Sequence, residues 1–333
     1  MASSARIQEV AAAAEVGIST VSKVLNGYTD ISEKTRKRVL NAVEELSYSP
    51  NRMARSFRTG KTQTVSVILP RIGTDFYDRL ITSIDDTLAD HDYDAALFPL
   101  LSERRLQRYK SADALPYHSD GVVMASLNPE CLFSDASLPV NLPLVLVDSC
   151  HADYDSITLD NAGGAKKATT HLLKKSGATY AILIEGYNKP PFLSGVFLER
   201  LKGFRQAREE AELPPDNHYE KISPFTLAGA REVTRQIIRQ NGLPVNIFAS
   251  CDLFARAVLD EVKSQHLIIG KDVRVVGFDD QKWAQNEGLS TIRQPVETMG
   301  NLATELLFRR MKEPEASIKH SELIPELIIR ESS

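Results

Sequence analysis

Along residues 6–47 apolar positions recur at intervals of three and four. Ile7, Val10, Ala11 and Ala14 form one set, Val21, Val24 and Leu25 a second, Val39, Val43 and Leu46 a third. Each set falls on one face of a helix. Ser32 stands where the third helix needs an N-cap. The first two helices are separated only by Glu15-Val16-Gly17, a tight connection. From Val65 onward the pattern changes to short apolar, β-branched runs: Val65–Leu69, Asp94–Leu100, Gly121–Ala125, Leu144–Val147, Tyr180–Ile184, Asn246–Ser250 and Val273–Phe278. These read as strands. Helical patterns lie between them at Arg79–Asp90, Gly163–Lys174, Glu199–Ala211, Ala228–Asn241 and Phe254–His266. Such alternation predicts an α/β fold of parallel sheets with right-handed crossovers.

Charge divides the chain in the same place. Residues 1–61 carry ten Lys or Arg against six Asp or Glu, whereas the 333-residue chain as a whole has a formal net charge of −4. A basic N-terminal module on an acidic body points to a polyanionic partner for that module. The three cysteines, Cys131, Cys150 and Cys251, are widely spaced, which suggests neither a disulfide frame nor a metal knuckle. No apolar run approaches a membrane span, and the N-terminal residues lack the apolar core of a secretion signal. The expected setting is the cytoplasm.

Two short helices with a tight turn are the layout of a helix-turn-helix, whose second helix enters the major groove. The string VAAAAEVGISTVSKVLNGYTDISEKTRKRVLNAVEELSYSPNRMARS carries more. It resembles the headpiece of the lactose repressor/galactose repressor (LacI/GalR) family of bacterial transcription regulators. The resemblance lies in Glu9-Val10-Ala11, in Thr20 through Asn26, in Ile31-Ser32 with Thr35 through Val39, and in Leu46 through Arg55. Two positions depart from it. Glu15 replaces the usual turn glycine and leads us to expect a slightly different turn. Gly17 replaces the usual serine cap.

By this resemblance Ile18 and Ser19 open a recognition helix and read bases, with Lys23 one turn later. Chemically, Ile18 suits a thymine methyl and Lys23 suits guanine N7/O6. Thr20, Ser22, Asn26, Ser32 and Thr35 carry hydroxyls or an amide that suit phosphates. Asn51 through Lys61 hold four basic residues, no acidic one, and one aromatic, Phe57. The resemblance makes this a hinge helix that orders on operator DNA. Phe57 then takes the place of a leucine that wedges into a central minor-groove step. Asn51, Arg52 and Arg55, with Arg58, flank it. A plain linker is the competing reading.

The resemblance continues through Asp160–Leu173, Glu199–Ala207, Val275–Ala284 and Leu289–Gly300. It implies a core of the periplasmic-binding-protein type, in which ligands bind at strand C-terminal ends between two lobes. The expected layout is a three-helix headpiece at 1–50, a hinge at 51–61 and a core at 62–333. Lobe 1 would comprise about 62–161 and 294–322, and lobe 2 about 162–293 and 323–333. Candidate effector contacts are Phe76, Tyr77, Asp148, Arg200, Asp279 and Gln294. A guanidinium fork opposite a carboxylate suits adjacent sugar hydroxyls, and aromatic faces suit the C–H surface. Phe225 and Trp283 are candidate walls, with core packing the alternative. Cys251 stands where the family usually has an asparagine or threonine, which puts the usual hexose specificity in doubt.

The Asn161-Ala162-Gly163-Gly164-Ala165-Lys166 segment lacks the spacing of a phosphate loop, and Asp160 capping a helix explains it better. No nucleophile elbow or metal spacing appears. The expectation is a non-enzymatic, homodimeric repressor with no cofactor, whose partners are pseudopalindromic operator DNA and a small effector, a sugar or sugar derivative. A secreted sugar-transport protein shares the core fold, but the headpiece discriminates against it. No heptad tail follows the last strand-like run, which favours a dimer.

Overall fold

The structure, a computed structural model, describes residues 5–25, 28–48, 60–100, 119–132, 142–185 and 195–333. The chain forms two compact units, Met1–Thr62 and Gln63–Ser333.

The first unit holds helices α1 (Ile7–Ala13), α2 (Ile18–Leu25) and α3 (Glu33–Glu45). Val10, Val21 and Val39, one from each helix, are fully buried together with Ala11, Ala14, Val24 and Ala42. The three- and four-residue spacing picks out all of these except Ala42; of the others it picks out, Ile7, Leu25 and Val43 pack half-buried against this core, and Leu46 ends α3 exposed. Burial in this core stabilises the bundle by about 1.5–3 kcal/mol for each valine. The α3 cap is local: Ser32 Oγ accepts the Thr35 backbone N–H at 3.2 Å. Glu15 takes the left-handed conformation, φ 51°. The turn therefore keeps the geometry that a glycine would give it, at a steric cost, instead of relaxing into another.

The second unit is built on two six-stranded sheets. Sheet 1 orders its strands β11-β5-β4-β3-β1-β2, from β1 (Thr64–Leu69), β2 (Asp94–Pro99), β3 (Gly121–Ala125), β4 (Leu144–Val147), β5 (Asp155–Leu159) and β11 (His320–Leu323), all parallel. Sheet 2 orders them β12-β10-β9-β8-β6-β7, from β6 (Ala178–Ile184), β7 (Glu220–Ser223), β8 (Val245–Ala249), β9 (Val273–Asp279), β10 (Ser290–Arg293) and β12 (Glu326–Ile328). Among the described strands only the β10–β12 pairing is antiparallel. Central strands such as β3 and β8 are buried at every position, as parallel strands covered on both faces should be.

Helices α4 (Asp75–Ala89) and α5 (Pro129–Leu132) follow sheet 1 strands. In and after sheet 2 come α6 (Asn161–Leu173), α7 (Val196–Glu210), α8 (Leu227–Asn241), α9 (Asp252–Ser264), α10 (Lys282–Asn286) and α11 (Val296–Lys312). The core under α4 and α11 joins Leu80, Ile84 and Leu88 to Met299, Ala303 and Leu307 over sheet 1. Sheet 2 has α8 and α9 over one face and α6 and α7 over the other. At Gly203 the approach of α7 to α6 leaves no room for a side chain: a Cβ would lie 2.0 Å from the Ala162 carbonyl oxygen.

The chain passes between the sheets three times: from β5 into α6, from β10 into α11, and from β11 to β12. Asp160 marks the first passage. Its carboxylate accepts the Gly163 N–H at 2.7 Å and caps α6, and its own N–H donates to the Leu323 carbonyl at the third passage.

Candidate functional site

In the first unit α2 turns Val21 and Val24 inward, so Ile18, Ser19 and Lys23 face out. Ile18 is 46% exposed, an apolar side chain in water at the very start of the helix. Thr20 and Ser22 are half-buried beside them. Lys23 Nζ lies 2.6 Å from Asp30 Oδ2, and this pair raises the lysine's pKa and lowers the aspartate's. Both groups are solvated, so the pair is weak and exchangeable. Ser32 and Thr35 engage each other, their hydroxyls 2.9 Å apart. The Arg36 guanidinium bonds the Tyr28 carbonyl and ties the loop to α3. Asn26, Asn51, Arg52, Arg55 and Phe57 lie outside the described residues.

In the second unit a cavity of about 450 Å³ opens at the C-terminal ends of strands from both sheets. This volume is ordinary for a small-molecule site. Phe76, Tyr77, Asp148, Arg200, Phe225, Cys251, Asp279 and Gln294 all line it. Trp283 does not appear in its lining. The indole instead packs against the core of sheet 2, donates to Gln281 Oε1 at 2.8 Å and stacks under Arg256. The assignment of Trp283 as a wall is corrected accordingly: α10 carries it away from the cleft, and Gln281, two residues earlier, lines the cavity in its place.

Arg200, one turn into α7, is 3% exposed. Its Nε donates to Asn161 Oδ1 at 2.9 Å and Nη1 donates to the Ser250 carbonyl at 2.7 Å. The guanidinium carbon sits 3.6 Å from the Phe278 ring centroid, and Nη1 is 3.9 Å from Asp279 Oδ1. Burial lowers its pKa, and the Asp279 and Asp148 charges hold it up. Asp279 Oδ1 also accepts from Gln294 Nε2 at 2.6 Å. Gln294 lies where the chain passes from β10 to α11, so one hydrogen bond spans the junction of the lobes.

Asp148 follows β4, is 7% exposed, and its Oδ2 accepts from Ser126 Oγ at 3.0 Å. Burial pushes its pKa up to about 6 against the pull of Arg200 and Ser126. Asp148 Oδ1 and Gln294 Oε1 accept no hydrogen bond although both are buried. Buried acceptors of this kind are expensive unless a ligand supplies donors. Beneath them Asp252 is fully buried, held by Thr291 Oγ1 at 2.7 Å and the Gln281 N–H at 2.9 Å. Burial and the facing Asp279 raise its pKa. Cys251 is the N-cap residue of α9 and its thiol is raised well above the ordinary range by burial.

Four non-glycine residues around this cavity or at its strand ends adopt positive φ: Ser126 (52°), Asp148 (58°), Asp279 (135°) and Asp280 (55°). Strained backbone of this kind concentrates where side chains must be aimed at a ligand. Sequence reasoning missed Ser126, although it follows β3 as Asp148 follows β4. It also missed Phe197, one turn before Arg200, and Arg71, whose guanidinium lies 4.5 Å from the Phe225 ring centroid.

Comparison with known proteins adds independent findings. Residues 6–51 match the model of bacterial regulatory proteins of the lacI family, and residues 170–333 match a periplasmic binding protein-like domain. The ribose operon repressor of Haemophilus influenzae is 26% identical over 332 residues, covering 98% of each chain. A probable transcription regulator of Thermus thermophilus is 38% identical, with TM-score 0.70, over 80% of this chain and 97% of that one. A complex of the transcriptional regulator CelR with cellobiose aligns with TM-score 0.72 at 26% identity, over 99% of this chain and all of that one.

Proposed function

The chain belongs to the lacI family of bacterial regulatory proteins, and from that premise we propose that it is an operator-binding transcriptional repressor controlled by a sugar-like effector held in the cleft of its second unit. The observation that carries this reading is the coexistence in one chain of an outward-facing α2 and a cavity lined by unbonded buried acceptors of Asp75, Asp148 and Gln294.

The DNA half follows from α2. Ile18 offers a methyl-seeking surface, Ser19 a permissive hydroxyl and Lys23 a donor for guanine. On operator DNA, Lys23 exchanges Asp30 for a base edge. Asn26, Thr20, Ser22, Ser32 and Thr35 position the module on phosphates. Asn51, Arg52 and Arg55 bind flanking phosphates, and Phe57 wedges into the central minor-groove step. Two copies of the chain pair on a pseudopalindrome, each headpiece reading one half-site.

The effector half follows from the cleft. Arg200, Asp279, Asp148 and Gln294 present one donor fork and several acceptors across the lobe junction, while Phe76, Tyr77 and Phe225 supply faces for C–H groups. A ligand bridging these groups stabilises one arrangement of the lobes over another. Its differential affinity for the two arrangements is then available to bias operator binding. The cleft binds without catalysing, in keeping with relatives named as regulators. No helix among the described residues is long and apolar enough to cross a membrane, and we place the protein in the cytoplasm, where its DNA partner lies.

The test is a binding selection with the full chain on random duplexes. It should return a two-fold symmetric site with half-sites about one helical turn apart. Enrichment of no sequence over background contradicts the reading.

A further inference from the structure

The charges at the floor of the cleft do not balance. Three carboxylates, those of Asp148, Asp252 and Asp279, act on one guanidinium, that of Arg200. Asp252 is fully buried, and burial together with the facing Asp279 pushes it towards its protonated form. Asp148 and Asp279 are left against Arg200, an excess of one negative charge. The other described lining residues do not offset it. Arg71 and Glu185 cancel in number, and Asp75 is paired at 3.5 Å with Arg79, which Glu297 also holds.

Asp148 is where the excess is least answered. Asp279 has the Arg200 guanidinium 3.9 Å away and the Gln294 amide at 2.6 Å. The hydrogen bonds of Arg200 go to Asn161 and to the Ser250 carbonyl. Asp148 is held by neutral donors, the Ser126 hydroxyl on Oδ2 and the Asn161 side chain. Its Oδ1 is buried and accepts no hydrogen bond, and the residue lines the cavity together with Gln294, whose Oε1 is also buried and unbonded. A carboxylate oxygen taken out of water needs both a hydrogen and a counter-charge. A ligand hydroxyl supplies the first. A ligand ammonium supplies both.

We propose that the effector is an amino sugar: its ammonium group hydrogen-bonds Asp148 Oδ1, and its hydroxyls serve Gln294 and Asp279. This rests on the reading of the cleft as a sugar site and specifies the class of sugar that fills it. It makes Asp148 the residue that sets the preference for a nitrogen over an oxygen. A charge-assisted hydrogen bond is about twice as strong as a neutral one. The amino member of a matched pair should therefore bind about tenfold more tightly than the parent sugar, whose hydroxyl stands in the same place. A phosphorylated sugar adds to the negative excess and should not bind.

The experiment is titration calorimetry on the full chain with matched pairs: D-glucose and D-glucosamine, D-galactose and D-galactosamine, D-mannose and D-mannosamine, D-glucose and 6-amino-6-deoxy-D-glucose, with D-glucose 6-phosphate beside them. The expected result at pH 7 is binding of the amino member about tenfold tighter in whichever pair binds, and none of the phosphate. A sugar amine sheds its proton, as an α-amino group does, at about pH 8, so the ratio should fall close to one at about pH 9. Asp148→Asn should bring it close to one already at pH 7. The pH series uses the wild-type chain and so stands whether or not the variant folds. If a pair binds with the parent sugar equal or tighter at pH 7, or if the ratio survives either loss of the amine's proton or Asp148→Asn, the proposal is overturned and the sugar reading stands. If no sugar binds, or the phosphate binds best, both fall.

Discussion

Replacing Asp148 by asparagine isolates the electrostatic cost built into the cleft. The side chain keeps its shape, and its amide oxygen can still accept the Ser126 hydroxyl that lies 3.0 Å from Oδ2. Asparagine also tolerates the left-handed backbone, φ 58°, better than most residues. What disappears is a buried charge. Burial raises the carboxyl pKa from 3.8 to about 6, which at 1.36 kcal/mol per pH unit amounts to about 3 kcal/mol. The sign follows from linkage. The folded state holds the proton more tightly than the unfolded state, so stability is highest when both are protonated and falls as pH rises from about 4 through 6. Asp148→Asn removes this penalty. It should stabilise the ligand-free protein by about 3 kcal/mol at pH 7.5 and by only about 1 kcal/mol at pH 4.5. Urea denaturation of both proteins at the two pH values measures the difference. The same substitution replaces a charge-assisted acceptor by a neutral one, so effector affinity should fall about tenfold while stability rises. A gain equal at the two pH values, or no gain at pH 7.5, would refute the assignment of the strain to this carboxylate.

Glu15→Gly should increase hydrogen-exchange protection of α1 and α2 by up to about 1 kcal/mol, because the left-handed turn at φ 51° costs an L-residue about 1–2 kcal/mol and glycine gives back part of that in chain entropy; lower protection would count against it. Lys23→Ala should relax selection at one symmetric base pair in each half-site, costing about 1–3 kcal/mol on the preferred site, and an unchanged selected sequence would remove Lys23 from base reading. Gly203→Ala should lower the melting temperature by several degrees through about 1–3 kcal/mol of overpacking between α6 and α7, and an unchanged melting curve would mean the helices separate at no cost.

What the sequence revealed and what it hid have the same physical origin. Strands β3 and β4 are buried on both faces and so appear as unbroken apolar runs, and β8 and β9 as runs broken only by Asn246 and Arg274 before their ends. Strand β10 is buried over its first three residues, yet it begins Ser290-Thr291. Its polar side chains are satisfied by distant partners, Ser290 by the backbone of Arg330 and Thr291 by Asp252. No local pattern encodes such partners. Strand β7 is a sheet edge and β5 mixes Ser and Thr with apolar residues, so neither stands out from a loop. In the cleft, Asp148 and Asp279 were legible as carboxylates at the ends of apolar runs, and Arg200 through the family resemblance of Glu199–Ala207. Ser126 was not, because a serine after a strand is commonplace. The unusual character of Cys251 was legible, but its capping position was not. Helical periodicity first shows at Phe254, while α9 begins at Asp252, whose side chain is fully buried and spent on Gln281 and Thr291.

The central claim, that occupation of the cleft governs DNA binding, is tested most directly by fluorescence anisotropy of a labelled selected operator titrated with the full chain, with and without saturating cleft ligand. Wild type should show its operator Kd shifted at least fivefold by the ligand, the lower end of typical allosteric coupling. Asp279→Asn, which removes the carboxylate facing Arg200 and Gln294, should bind the same operator with wild-type affinity and show no shift. An operator Kd indifferent to ligand in the wild type, or a variant that responds as the wild type does, would contradict the account.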